Sequence, residues 1–77
     1  MVYLVAIKFS SIRASQFYKD LDSYTAAGLA EGFIDGSNEE RTSAWQWLHD
    51  TGIGYKLQGF FGRTLEEMLL NKIIQKW

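Results

Sequence analysis

Between Ser37 and Gly52 the chain carries signals for both ends of one helix, and the rest of the sequence has to pack around it. Ser37 opens an S-x-x-E pattern with Glu40. In such a capping box the serine hydroxyl accepts the backbone N–H three residues on, and the glutamate reaches back to the serine's own N–H. Asp35, Glu39 and Glu40 also suit the positive end of a helix dipole. Ala44, Trp45 and Leu48 form an apolar stripe. Gly52 can take the left-handed position after the last turn, with Ile53 as the residue that a Schellman motif pairs with Leu48. The expected helix covers residues 38–51.

Around it the pattern is mixed. Residues 2–9, VYLVAIKF, are β-branched and aromatic and read as a strand, apolar on both faces. Phe17, Leu21 and Tyr24 fall at helical spacing, with Ile12 one turn earlier, which predicts a helix over about 12–28 that weakens at Gly28 and Gly32. Arg13, Lys19, Asp20 and Asp22 are expected to be solvated. Residues 32–37, GFIDGS, read as a turn. Residues 53–62, IGYKLQGFFG, fit a short helix, a turn or a second strand, and a strand there would be the natural partner for residues 2–9. Thr64 opens a second capping box with Glu67, and Leu65, Leu69, Ile73 and Trp77 space a final helix to near residue 77. Together these give a single α+β domain over residues 1–77, with one N-terminal strand and about three helices. The alternative is an all-α domain with an extended N-terminal arm.

Composition narrows the functional classes. The chain has 77 residues, 47% of them hydrophobic and 16% aromatic, so it has the apolar content that a disordered chain lacks. It has no cysteine, which removes disulfides and thiolate metal sites and suits a reducing cytoplasm. The longest apolar run, Val2 to Ile7, is too short to cross a bilayer, and no signal-peptide pattern accompanies it. The expectation is a chain that is neither exported nor membrane-bound. Net charge is -1. No segment has the basic excess that drives phosphate-backbone binding, which disfavours nucleic acid.

The ingredients of catalysis are sparse. Nucleophilic chemistry needs a nucleophile, a base and an orienting group. The single histidine, His49, sits late in the expected helix, where a cation suits the dipole, and adjacent Asp50 does not face it. Glu39–Glu40 and Glu66–Glu67 lie in first helical turns and serve the dipole there. No ligand spacing suggests a metal, and nothing suggests a cofactor or an enzyme. The G-F-F-G-R-T run of residues 59–64 falls short of a P-loop, whose first glycine would have to replace Leu57. Tyr55, Lys56, Phe60, Phe61 and Arg63 cluster aromatic and basic groups that serve as core, protein-contact surface or base-stacking platform. Trp45 is in register with Leu48 and is expected in the core. Trp47, two residues on, is either an exposed interface anchor or buried under the first helix.

Residues 44–65 read A-W-Q-W-L-H-D-T-G-I-G-Y-K-L-Q-G-F-F-G-R-T-L. This stretch resembles a cassette in short uncharacterised proteins of tailed bacteriophages: a helix ending L-I-D-T-G, an aromatic-x-L-Q-G stretch, then an aromatic before G-R-T. The matching residues are Leu48, Asp50, Thr51, Gly52, Tyr55, Leu57, Gln58, Gly59, Phe61, Gly62, Arg63 and Thr64. His49 stands where that family has an apolar residue, Gly54 for Ala, Tyr55 for Trp and Leu65 for a small residue. The resemblance covers less than a third of the chain and implies a phage or prophage origin, with no activity or catalytic residue attached.

The resulting expectation is a phage-encoded accessory protein, cytoplasmic in the host cell, that binds and modulates a host protein stoichiometrically. Trp47, Tyr55, Gln58, Phe60 and Arg63 are the candidate protein-binding residues. The alternatives are a small nucleic-acid-binding regulator and a homo-oligomeric structural protein that pairs its apolar strand 2–9 across a symmetry axis.

Overall fold

The computed structural model describes residues 12–76. Every regular element among them is helical. After a helical turn at residues 12–14 come α1 (Gln16–Lys19), α2 (Ser23–Glu31), α3 (Asn38–Thr51), a 3-10 turn (Ile53–Tyr55) and α4 (Gly59–Leu70). The α+β expectation is therefore corrected to a small helical domain. The expected strand at 2–9 lies outside the described residues. Of the three readings open for residues 53–62, the structure shows the short helix and turn: they supply the 3-10 turn and the start of α4, and no strand.

The reason is packing at Gly54. A Cβ there would come 2.5 Å from Leu65 Cδ1 and 3.1 Å from Leu48 Cβ. The bare backbone lets the 3-10 turn wedge between α3 and α4, and the run folds as a corner between two helices.

The central helix has the expected bounds and capping box, and the expected left-handed Gly52, but Ile53 N–H bonds Thr51 Oγ1 in place of the Leu48 carbonyl that a Schellman motif would pair with it. Ser37 Oγ accepts from Glu40 N–H at 3.1 Å and Glu40 Oε1 accepts from Ser37 N–H at 2.9 Å. At the other end Gly52 is left-handed (φ 78°) and donates to the His49 carbonyl, while Ile53 N–H goes to Thr51 Oγ1 at 3.3 Å. Arg41 Nε donates to the Leu29 carbonyl at 3.0 Å and so ties the end of α2 to the start of α3.

Three expected boundaries move. The helix at 12–28 is broken at residues 20–22, because Ser15 and Asp22 each cap a new start, accepting from Tyr18 N–H and Thr25 N–H. Tyr24 then points outward, 80% exposed, although its spacing from Phe17 and Leu21 suggested the core. The last helix begins at Gly59 and not at Thr64. Phe61 and Leu65 extend its buried face one turn earlier, and Thr64 Oγ1 bonds back to the Phe60 carbonyl. That helix also stops at Leu70, short of Trp77. Lys72 is left-handed (φ 58°), its N–H meets the Leu69 carbonyl, and Ile73 N–H meets the Met68 carbonyl at 2.9 Å. This is a Schellman motif with lysine where glycine is usual.

The core gathers Leu21, Ala26 and Leu29 from the first two helices with Ala44, Trp45 and Leu48 of α3, Phe61 and Leu65 of α4, and Ile74 from the tail. Trp45 meets Phe61 at 5.8 Å and Phe60 at 6.2 Å between ring centroids. No described helix is long and apolar enough to cross a membrane.

Two substitutions test these packing arguments in opposite directions. Gly54→Ala forces a methyl against Leu65 and the Leu48 backbone and is expected to cost about 1–3 kcal/mol by urea denaturation. Lys72→Gly relieves the left-handed lysine and is expected to raise stability by about 0.5–1 kcal/mol, net of the extra freedom that glycine has when unfolded.

Candidate functional site

Residues 55–63 run from the end of the 3-10 turn into the first turns of α4, and most of them face solvent. Tyr55, Leu57 and Phe60 are large apolar side chains left exposed, with Lys56, Gln58 and Arg63 among them. The first and last of the apolar three are braced from within. Tyr55 Oη pairs with His49 Nδ1 at 2.6 Å, and the two rings meet edge to face. Phe60 sets its ring edgewise against Trp45 and Phe61. Arg63 folds back along α4, close enough that a Cβ at Gly59 would lie 3.3 Å from its Nη1. Burial, with the charge of Glu66, pushes the Tyr55 phenol above its ordinary range.

Four of the five expected binding residues, Tyr55, Gln58, Phe60 and Arg63, thus belong to one short surface segment. Trp47 does not. It is half-buried against the core, about 200° around α3 from Trp45, whose ring meets Phe60.

His49 lies in the last turn of α3, as its place in the sequence predicts, and it has a second contact. Its Nδ1 is taken by Tyr55, and its Nε2 is buried without a hydrogen-bond partner among the described residues. Among those residues, no three His, Cys, Asp or Glu side chains gather as metal ligands would.

A second polar cluster was not legible in the sequence. The Asp50 carboxylate, with 2% of its side chain exposed, accepts four hydrogen bonds. Arg13 Nε and Nη2 each donate at 2.9 Å, one to each oxygen. Tyr18 Oη donates at 2.5 Å and Gln46 Nε2 at 3.0 Å. Arg13, expected in solvent, is partly buried in this pair. Desolvation opposes ionisation of Asp50, but the bonds from Arg13, Tyr18 and Gln46 outweigh it and hold the carboxyl below its ordinary range. Burial and the bond to Asp50 push the Tyr18 phenol up, and the same carboxylate raises Arg13. A carboxylate with both oxygens filled is poorly placed to act as a base or to take a cation. The chemistry of this cluster is that of a clamp.

One signal pointed toward it. An aspartate in the last turn of a helix opposes the dipole, so Asp50 needed a cation or donors from elsewhere. Gln46, one turn earlier, lies on the same face. Nothing local identifies Arg13, 37 positions away, as the partner.

No protein family, no curated protein and no solved structure matches the chain.

The clamp makes stability depend on pH at both ends. Asp50 titrates lower when folded than its unfolded value of about 3.9. Its contribution is therefore complete above that pH and is lost as pH falls through the folded value. Urea midpoints measured from pH 6 down to pH 2 are expected to fall, and Asp50→Asn to flatten the slope while lowering the plateau by about 2–3 kcal/mol. The raised phenol of Tyr18 has the opposite sign. Its contribution is complete below about pH 10 and is lost as pH rises through the folded value. Tyr18→Phe is expected to remove that part of the alkaline loss.

Proposed function

We propose that the chain is a small, phage-encoded protein-binding module that acts in the host cytoplasm, docks through residues 55–63 and alters a host protein stoichiometrically. The observation that carries this reading is a division of labour within the stretch that resembles the phage cassette. Leu48 and Phe61 are core, Asp50 holds the clamp, Thr51 and Gly52 end α3. These residues have folding roles. Tyr55, Leu57, Gln58 and Arg63 remain on the surface, with Phe60 beside them.

Their chemistry suits a protein partner. Tyrosine and arginine are enriched where binding energy concentrates, and aromatic rings already braced by the core lose little freedom on docking. Gln58 and Arg63 supply polar contacts that fix orientation. The balanced charge of the chain gives no corresponding support to a phosphate-backbone partner.

The test is capture of partners by the tagged full chain from bacterial host lysate, with a Gln58→Ala/Arg63→Ala variant alongside. Both substitutions are at exposed positions, so the variant is expected to keep the wild-type circular dichroism spectrum. One host protein retained in near-equal amount by the wild type, and reduced at least tenfold by the variant (about 1.4 kcal/mol), is the expected result. Background recovery alone at micromolar concentration overturns the reading, as does equal capture by both forms.

A further inference from the structure

The tail beyond α4 is seated in a cradle built from main-chain bonds. Gln46, 1% exposed, uses both ends of its amide: Nε2 donates to the Gln75 carbonyl and Oε1 accepts from Gln75 N–H, each at 2.8 Å. Arg13 Nη2, while held by Asp50, also donates to the carbonyls of Gln75 at 3.0 Å and Lys76 at 3.4 Å. Ile74 is the apolar anchor, 2% exposed and part of the core. We infer that this cradle of Arg13, Gln46 and Asp50 is a docking site for an extended C-terminal segment, and that it accepts residues 73–76 of a second copy of this chain in exchange for its own.

Three observations carry the inference. The first is the completeness of the site: two hydrogen bonds with a buried amide, three from a guanidinium (two to main-chain carbonyls and one, at 3.5 Å, to Gln75 Oε1) and one buried side chain seat the segment with no regular structure of its own. A departing tail takes the partner of Gln46 Oε1 and one of the two acceptors of Nε2, which keeps Asp50, and buried polar groups left unpaired are costly. Only a segment with the same main-chain geometry restores them, and a second copy carries one.

The second is the hinge. The turn that sends the tail into the cradle places Lys72 in the left-handed region, where residues with a side chain are strained. Local sequence opposes the turn as well. Residues 71–74, N-K-I-I, contain neither glycine nor proline, and Leu65, Leu69 and Ile73 continue the helical spacing straight through it. A short hinge under strain invites exchange between copies. When it opens, α4 lengthens, Lys72 leaves the left-handed region, and Ile74 with Gln75 reaches a neighbouring cradle while the neighbour's tail does the reverse. The bonds made are the same in number and kind, so the balance rests on hinge strain against the cost of association.

The third is apolar surface at the hinge. Leu70 and Ile73 flank the turn and are exposed in the single chain. In a two-fold exchanged pair the two hinges pass each other, which gives these side chains a partner. The exchange does not involve the surface at residues 55–63.

The experiment is light scattering coupled to size exclusion, on full-length chains equilibrated warm from micromolar to millimolar concentration. Lys72→Gly removes the strain and favours the closed single chain. Lys72→Val, with a branched side chain that tolerates the left-handed region poorly, favours the open hinge. The expected result is a concentration-dependent dimer whose dissociation constant orders valine, then lysine, then glycine from tightest to weakest, the extremes differing by about tenfold or more because each dimer contains two hinges. Gln46→Ala removes the cradle and is expected to abolish the dimer. The hinge pair decides the question even if that variant does not fold, since it leaves the cradle intact. A monomeric Lys72→Val at millimolar concentration overturns the inference. Equal affinities for the valine and glycine variants overturn it too, as does a dimer that survives in a folded Gln46→Ala.

Discussion

The Asp50 carboxylate joins parts of the chain that otherwise have little reason to meet. It sits in the last turn of α3 and takes donors from the first helical turn, from α1 and from its own helix. Through Arg13 and Gln46 the same network reaches the tail at Gln75. A domain of this size buries a modest fraction of its surface, so its hydrophobic core alone leaves little margin. The clamp closes residues 13–18 and the segment after α4 over α3, and the core contributed by Leu21 and Ile74 depends on that closure.

Such a cluster is double-edged. Taking a carboxylate and a guanidinium out of water is unfavourable, and their attraction repays it only when every oxygen is met. Here every Asp50 oxygen is met, and the bonds have partners that cannot be exchanged for one another. The network therefore specifies one arrangement of the N-terminal turn, α1, α3 and the tail, where apolar packing alone would tolerate several.

The parts of the fold that were legible in the sequence are those fixed by neighbours along the chain. The capping box at Ser37, the left-handed Gly52 and the core position of Trp45 all follow from residues within four positions of one another. What failed depended on distant contacts or on competing local signals. Asp22 offers a cap that outweighs the helical spacing running through it to Tyr24. Periodicity left residues 53–62 open between helix, turn and strand, and the close approach of Leu48 and Leu65 to Gly54 selects the turn. The turn at Lys72 contradicts every local preference and exists because Gln46 and Arg13 hold the tail on its far side. The candidate surface was partly legible. Tyr55, Gln58, Phe60 and Arg63 are exposed together, while Trp47, on the other side of α3 from Trp45, is half-buried against the core.

The pairing of Gln46 with Gln75 has a consequence for how this chain can vary. A side-chain amide on a helix does there what a neighbouring strand does in a sheet, since it engages only an N–H and a C=O. The side chain at position 75 adds one long bond, accepting from Arg13 Nη1 at 3.5 Å, so its identity is constrained less than its main chain is, proline excepted because it has no N–H to give. Position 46 has no such latitude. Among the ordinary side chains only an amide both donates and accepts at one tip with that spacing, and asparagine is one methylene too short. Mutational tolerance across this contact should be lopsided, with Gln46 nearly fixed and Gln75 held mainly through its main chain.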